Sequence, residues 1–302
     1  MTAEDAPAIL TTGLGKRYGS TWALQDCSLS VPRGRITALV GPNGAGKTTL
    51  LKLLVGLSTP TTGEAKVLGE MPQQDETFLA TIGYLAQDVP LFRRLSAEEH
   101  LQMGAHLNHQ WDAAGARERL AALRIPNDRP VSTLSGGQRA QVGLSLVLAK
   151  RPMILLLDEP MAALDPLARR EFLASLTEAV AEGSLSVVVS SHLLHDLERV
   201  CDHLILLTAS RPQLCDDIDD VLATHRVVLG PRRKTTEVEP GLTVVKETQT
   251  DRQARLLVRL NGPVIDPEWE VIEPGLEDIL LAYMEQDQMI NAGPMTELRV
   301  AR

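Results

Sequence analysis

Residues 41–49, which read Gly-Pro-Asn-Gly-Ala-Gly-Lys-Thr-Thr, constrain the fold of this chain more than any other segment. They match the phosphate-loop pattern G-x-x-x-x-G-K-[ST]. The mostly apolar residues 35–40 before the loop are typical of a buried strand, and the leucine-rich residues 50–56 after it are typical of an apolar-faced helix. Because the motif works between a strand and a helix, this context favours a phosphate-binding loop over an ordinary glycine-rich turn.

The residue types of this loop suit the binding of a nucleoside triphosphate. Gly44 and Gly46 allow successive backbone N–H groups to point at phosphate oxygens, and the helix N-terminus adds a partial positive charge. Lys47 is expected to reach the outer phosphates, and the Thr48 hydroxyl is expected to ligate Mg²⁺. We therefore predict nucleotide contacts from Gly41, Pro42, Asn43, Gly44, Ala45, Gly46, Lys47, Thr48 and Thr49.

A pair of carboxylates follows the short apolar run of residues 153–157. Such a run is typical of a strand buried on both faces of a parallel sheet. At the end of this strand Asp158 is expected to hold Mg²⁺ beside Thr48, and Glu159 is expected to act as the general base for an attacking water. The alternative is an acidic strand end that only caps the next element.

A second glycine-rich helix start lies at residues 134–138, Leu-Ser-Gly-Gly-Gln. Two glycines after a serine and just before a helix, here the apolar residues 142–148, form another anion-binding terminus. A chain with one triphosphate needs a second terminus of this kind only if it serves a neighbouring molecule. A plain glycine-rich helix start is the alternative interpretation.

Other segments predict strands and helices in alternation around these motifs. Residues 8–32 are typical of short strands with turns, residues 82–87 and 185–190 of further strands, and residues 96–123 of a helical block that starts with a capping box. This order predicts an open α/β sheet with its motifs at the carboxyl ends of the strands. Residues 220–285 predict a small α+β accessory region, followed from Asp287 by a loosely ordered tail.

These motifs together resemble the ATP-binding cassette (ABC) family of ATPases, and specifically the nucleotide-binding subunit of an ABC transporter. The match covers residues 9–210 and contains the family's motifs in order. It implies an α/β fold with a RecA-like P-loop NTPase core and a mostly parallel sheet, an N-terminal antiparallel β subdomain and an inserted helical subdomain at about residues 88–148. We expect the ATPase domain to span residues 1–215 and the accessory region and tail to span residues 216–302.

The resemblance also assigns roles to residues that the local sequence leaves open. It implies that Tyr18 stacks on adenine, that Gln87 contacts Mg²⁺ and takes part in catalysis, and that His192 joins Lys47 and Glu159 as a catalytic residue. It also implies that Asp165 belongs to the ATP site. The alternatives are an ordinary turn aromatic at Tyr18, a polar strand end at Gln87 and a structural histidine at His192.

The family pattern further implies a head-to-tail dimer, either a homodimer or a heterodimer with a related ATPase subunit. In it, Ser135, Gly136, Gly137 and Gln138 of one subunit cover the ATP of the other. A separate membrane permease is expected to dock on residues 88–105. The amphipathic helix predicted at residues 275–284 resembles that of ATPases paired with exporter-type (ABC-2) permeases, so we expect export of drugs, antibiotics or peptides.

Composition limits the partners and the compartment. The net charge of −9 argues against nucleic acid as the main partner, because phosphate neutralisation needs clustered Lys and Arg. No secretory signal and no apolar run of about 20 residues are apparent, and the three cysteines lack a paired spacing. We therefore expect a cytoplasmic protein, peripheral on the cytoplasmic face of the membrane.

Two other functions fit parts of the sequence. A soluble ABC ATPase of translation or DNA maintenance is the first, but such proteins usually have two cassettes, long coiled coils or cysteine zinc sites. A regulatory module that binds ATP without turnover is the second, and Glu159 and His192 argue against it.

Overall fold

The computed structural model describes residues 6–181, 185–192, 197–231, 242–250, 253–260, 262 and 269–292. The chain divides into two compact units, Met1–Cys215 and Asp216–Arg302.

In the described residues up to Asp217 the strands form two sheets. The strands are β1 Ile9–Tyr18, β2 Thr21–Val31, β3 Ile36–Val40, β4 Thr62–Val67, β5 Ile82–Leu85, β6 Ile154–Leu157, β7 Ser186–Ser191, β8 His203–Thr208 and β9 Arg211–Asp217. In the described residues β2-β1-β4 form an antiparallel three-stranded sheet, and β5-β6-β7-β3-β8-β9 form a six-stranded sheet. The pairs β5–β6, β6–β7, β7–β3 and β3–β8 are all parallel.

The described helices of this unit lie between its strands in the sequence. They are α1 Lys47–Leu54, α2 Glu76–Thr81, α3 Ala97–Leu107, α4 Ala113–Ala122, α5 Gly136–Ala149 and α6 Pro166–Ala181. The predicted capping box starts α3, where Ser96 accepts from the Glu99 amide and the Glu99 carboxylate accepts from the Ser96 amide. Apolar side chains of α3, α4 and α5 form their own core, which includes Leu101, Leu120 and Val142.

The central strands explain why the site residues meet at one edge. All residues of β3, β6 and β7 are buried, as expected for strands covered on both faces of a parallel sheet. Because these strands run in the same direction, the segments after Val40, Leu157 and Ser191 leave the sheet at the same edge. Residues that are far apart in sequence are thereby brought together.

The described residues of the second unit form an antiparallel sheet and two helices. Its strands are β10 His225–Pro231, β11 Leu242–Gln249, β12 Gln253–Leu260 and β13 Glu270–Ile272, in the order β11-β12-β10-β13, and its helices are α7 Ile218–Thr224 and α8 Leu276–Ala292. Val228, Leu256, Val258 and Trp269 form the core of this sheet.

The α/β fold predicted from the sequence, with its phosphate-loop core, antiparallel β subdomain and inserted helices, is confirmed. Three local predictions were wrong. Strand β5 ends at Leu85, so Gln87 lies in the following turn and not in the strand. Helix α5 begins at Gly136 and not after the two glycines, because a capping box starts the helix there. Helix α8 continues past Asp287 to Ala292, and the remainder of the predicted tail lies outside the described residues.

Among the described helices, none has both the length and the apolar character that a membrane crossing requires.

Candidate nucleotide site

The phosphate loop connects β3 to α1 and depends on glycine at its turning points. Gly44 and Gly46 have φ angles of 83° and 103°, which side-chain-bearing residues rarely adopt. A Cβ atom at Gly46 would also lie 2.4 Å from the carbonyl oxygen of Ala23 in β2. The loop therefore keeps its shape only with glycine at this position.

Helix α1 begins directly at Lys47, with Gly46 as its N-cap residue. No side chain in the described residues caps the first turn, so its backbone N–H groups are left to bind a ligand. Together with the helix dipole, these amides form an anion-binding terminus. Asn43 and Gly44 are exposed at the tip of the loop, whereas Ala45 is buried beneath it.

Lys47 is buried, with 5% of its side chain exposed, and its ammonium group folds back over the loop. Its Nζ donates to the carbonyl oxygens of Gly41 and Pro42, at 2.7 Å and 3.2 Å. The same atom lies 3.2 Å from Oε1 of Glu159. The Lys47 charge is thus balanced by the carboxylate that follows strand β6.

Asp158 joins the loop to the neighbouring strands. Its Oδ1 accepts from the Thr48 hydroxyl at 3.0 Å and from the Ser190 hydroxyl at 3.1 Å. The Asp158 amide donates to the carbonyl of Leu85 at 2.8 Å, which ties the end of β6 to the end of β5. Only 2% of Asp158 is exposed. The backbone bond and the two hydroxyls therefore fix the place of this carboxylate at the sheet edge.

Glu159 has an unusual backbone conformation and two charged neighbours. Its φ angle is 44°, in the left-handed region that residues other than glycine rarely adopt. Its Oε1 pairs with Lys47, and its Oε2 lies 3.0 Å from Nδ1 of His192. His192 follows β7 and exposes 44% of its side chain, whereas the Glu159 side chain is only 11% exposed.

These contacts form one group of side chains, which we call the carboxylate cluster: Lys47, Thr48, Asp158, Glu159, Ser190 and His192. The sequence singled out all its members except Ser190. The available signal was weak, since a serine at the end of an apolar strand is common.

A second group of predicted residues lines a cavity of about 190 Å³, and these residues are Ser135, Gly137, Gln138 and Asp165. Ser135 and Gln138 form a capping box at the start of α5, with bonds of 3.1 Å and 3.0 Å. Asp165 caps α6 by accepting from the amides of Leu167 and Ala168. Within the described residues, no hydrogen bond or ion pair joins these side chains to the carboxylate cluster.

The remaining predicted residues lie apart from both groups of contacts. Tyr18 ends β1 with 53% of its surface exposed, and the Lys16 ammonium lies 5.3 Å from the centre of its ring. Gln87 is exposed in the turn two residues after β5, near the point where Asp158 bonds to that strand. The geometry alone gives neither residue a ligand contact.

Tyr84 is a further polar residue that the sequence did not single out. Its hydroxyl is buried and has no hydrogen-bond partner in the described part of the chain. Burial, and secondarily the charge of Asp158, raises the pKa of Tyr84 to about 12. The residue therefore stays neutral beside the aspartate.

The donor set of the carboxylate cluster fits a hard divalent cation. Mg²⁺ prefers oxygen ligands from one or two side chains together with phosphate oxygens. Thr48 and Asp158 bring a hydroxyl and a carboxylate oxygen to within 3.0 Å of each other next to the phosphate loop. The uncapped first turn of α1 supplies the matching place for phosphates.

Sequence comparison finds a matching family model and relatives with known names. Residues 24–162 match the model described as ABC transporter. The molybdenum import ATP-binding protein ModC of Rhodopseudomonas palustris is 33% identical over 259 residues, which cover 83% of this chain and 68% of that protein. The Nod factor export ATP-binding protein I of Ralstonia nicotianae is 33% identical over 229 residues, covering 73% of this chain and 70% of that protein.

Comparison with solved structures finds the same architecture. A structure described as the ATP binding subunit of an ABC transporter superposes with a TM-score of 0.63 at 27% identity. The alignment covers 72% of this chain and 92% of the solved one.

Proposed function

This chain belongs to the ABC transporter family of ATP-binding proteins, and we propose that it is the subunit that powers a separate membrane permease by hydrolysing ATP. The chain is an ATPase of this family. The observation that carries the proposal is the carboxylate cluster, in which a lysine, two hydroxyls, two carboxylates and a histidine from separate segments are in contact. The roles of the individual residues follow from these contacts.

In the proposed mechanism the phosphate loop binds the triphosphate through its backbone amides and Lys47. Thr48, Asp158 and Gln87 would hold Mg²⁺, which neutralises charge on the phosphates when bound. Glu159 accepts a proton from the attacking water. His192 contacts the Glu159 carboxylate at 3.0 Å and orients this carboxylate. Tyr18, exposed at the end of β1, is assigned to adenine stacking.

Lys47 has to exchange partners when the nucleotide binds. In the structure it is bonded to two loop carbonyls and to Glu159. Phosphate oxygens are the stronger partners for this ammonium, because they carry more charge. Binding of ATP therefore releases Glu159 from its ion pair, which leaves its carboxylate free to act as a base.

The active form is proposed to be a head-to-tail dimer with a second copy or a related subunit. Support comes from the separation of the two sites. In the described residues no hydrogen bond or ion pair joins the carboxylate cluster to the second group, which is Ser135, Gly136, Gly137, Gln138 and Asp165. The N-terminus of helix α5, with glycine at its first two positions, suits the terminal phosphate of another subunit's ATP. A two-fold arrangement completes both sites at once.

A permease is proposed to dock on residues 88–105, at the cytoplasmic face of the membrane. This segment exposes 61% of Phe92, whose ring stacks on that of His100 at 6.0 Å. The Phe92 amide also donates to Nε2 of His100, and the opposite ring nitrogen bonds to the Ser96 carbonyl. An exposed aromatic on a fixed loop is suited to the insertion of a partner's side chains.

Export is the proposed direction of transport, with drugs, antibiotics or peptides as the substrate class. It is supported by the similarity to the Nod factor export protein and by the helix α8 after the cassette. Import is the second candidate, which the similarity to the molybdenum import protein favours.

Three measurements test the proposal. The purified chain should hydrolyse ATP in the presence of Mg²⁺, and absence of turnover would refute the ATPase assignment. Affinity capture from detergent-solubilised membranes should recover a multi-span membrane protein; recovery of ribosomes or DNA instead would favour the non-transport alternative. In inside-out vesicles that contain this chain and its permease, ATP-dependent uptake of drugs or peptides supports export. Stimulation of the ATPase activity by molybdate together with a binding protein supports import.

A further inference from the structure

Ser190 connects the two carboxylate residues of the cluster through a single hydroxyl. Its Oγ donates to Asp158 Oδ1 at 3.1 Å and accepts from the Glu159 backbone amide at 2.8 Å. The side chain is fully buried, at 0% exposure, so water does not compete for either bond. Neither the phosphate loop nor the predicted site residues include this serine.

The sheet register places the serine at this point. Strands β6 and β7 run parallel, with Leu157 opposite Val189. The residue after Leu157 is Asp158, which directly follows β6, and the residue after Val189 is Ser190, which lies within β7. A side chain as short as serine reaches both the Asp158 carboxylate and the backbone that follows it.

The Glu159 backbone needs such support. Its φ angle of 44° is unfavourable for a residue with a side chain, and a left-handed conformation persists only where its surroundings hold it. The bond from the Glu159 amide to Ser190 holds the chain at the residue whose carboxylate contacts Lys47 and His192. Loss of this bond frees Glu159 to relax and to move its carboxylate.

We propose that Ser190 is a positioning residue for ATP hydrolysis, which sets Asp158 and Glu159 in a fixed relation to each other. The inference rests on the proposed ATPase function. Ser190 touches neither nucleotide nor water in this role and acts only through the two carboxylate residues. Its removal should therefore lower turnover while it leaves nucleotide affinity in place.

Strand β7 offers a matched control at its other end. Ser186 is also buried, at 1% exposure, and its Oγ accepts from the Gly34 amide at 2.9 Å. Ser186→Ala thus removes a hydroxyl from the same strand and leaves one backbone amide unpaired, at the opposite end from the carboxylate cluster. Both alanine variants should lower the melting temperature to a similar extent.

The experiment compares Ser190→Ala, Ser190→Thr and Ser186→Ala with the wild type. Steady-state ATPase should show that kcat of Ser190→Ala falls by about 10- to 100-fold, as expected for a displaced catalytic group, with KM changed by less than about twofold. Affinity for a fluorescent ATP analogue should stay the same. Ser190→Thr keeps the hydroxyl in a strand that favours β-branched residues, and it should recover most of the activity.

Three results would overturn the inference: wild-type kcat in Ser190→Ala, an equal loss of kcat in Ser186→Ala, or a folded threonine variant as slow as the alanine one. Because Ser190→Ala only removes an atom, it decides the question even if the threonine variant fails to fold. A wild-type chain without ATPase activity would instead refute the proposed function.

Discussion

Replacement of Glu159 by glutamine separates nucleotide binding from hydrolysis most directly. Glutamine has nearly the same shape and keeps an acceptor oxygen, but it has no negative charge and no useful basicity. In the structure the Glu159 carboxylate lies 3.2 Å from Lys47 and 3.0 Å from His192, with 11% of the side chain exposed. The substitution therefore removes the proposed base without opening a cavity.

The size of the effect follows from these contacts. A positioned general base contributes about 10²- to 10⁴-fold to the rate, so kcat of Glu159→Gln should fall by at least about 100-fold. Binding of ATP should not weaken. In the wild-type protein the nucleotide has to displace the Glu159 carboxylate from Lys47, whereas the variant has no such ion pair to break. The dissociation constant for ATP should stay equal or become smaller.

Two assays on the same preparation test this expectation. Phosphate release gives kcat, and titration with a fluorescent ATP analogue gives the dissociation constant. Gel filtration with ATP should also show a dimer that accumulates in the variant, since the nucleotide stays intact. Glu178→Gln, which removes an exposed carboxylate from α6, is the control and should behave like the wild type. Wild-type kcat in Glu159→Gln, or a clear loss of ATP affinity, would refute the reasoning.

Three further predictions address other parts of the chain. Lys47→Ala should weaken ATP binding by about 10- to 100-fold, because it removes charge-assisted hydrogen bonds to phosphate; unchanged affinity in an analogue titration would show that the loop binds differently. Ala209→Gly should raise the free energy of unfolding by about 0.5–1 kcal/mol in urea denaturation, because Ala209 has a φ angle of 43° in the turn between β8 and β9; a destabilised variant would contradict this. Burial lowers the pKa of His225 in the folded protein from the usual 6.5. The stability that the neutral histidine contributes is therefore complete above pH 6.5, and it is lost as the pH falls through the lowered pKa of the folded state. His225→Gln should therefore make the unfolding free energy less dependent on pH below about 6.5, and an identical pH dependence in both proteins would argue against this.

Much of the fold follows from the apolar pattern and from the phosphate loop. Buried runs such as residues 154–157 are long enough for strands and too short for helices, and a parallel sheet brings their carboxyl ends together. For this reason the sequence predicts that Thr48 and Asp158, which are far apart in the chain, approach each other. The structure places their side chains 3.0 Å apart.

Other features depend on tertiary contacts that a local pattern does not contain. The turn between β8 and β9 contains no glycine, yet Ala209 and Ser210 both take positive φ angles there. The reason lies in another strand, since the Gln25 amide donates to the Ser210 carbonyl and the Ser210 hydroxyl donates to the Trp22 carbonyl. These long-range bonds stabilise a turn that local preference disfavours.

The second glycine-rich helix start caps helix α5 and leaves polar groups for the ligand contact proposed above. The capping box uses the Ser135 hydroxyl as an acceptor for the Gln138 amide and the Gln138 side-chain oxygen as an acceptor for the Ser135 amide. A hydroxyl has one proton and two lone pairs, so Ser135 can still donate to a phosphate while it caps the helix. Gly136 and Gly137 carry no side chain that would cover their N–H groups. In the proposed dimer the backbone and Ser135 would contact the neighbouring subunit's nucleotide, and Gln138 would contribute mainly by holding the start of the helix in place.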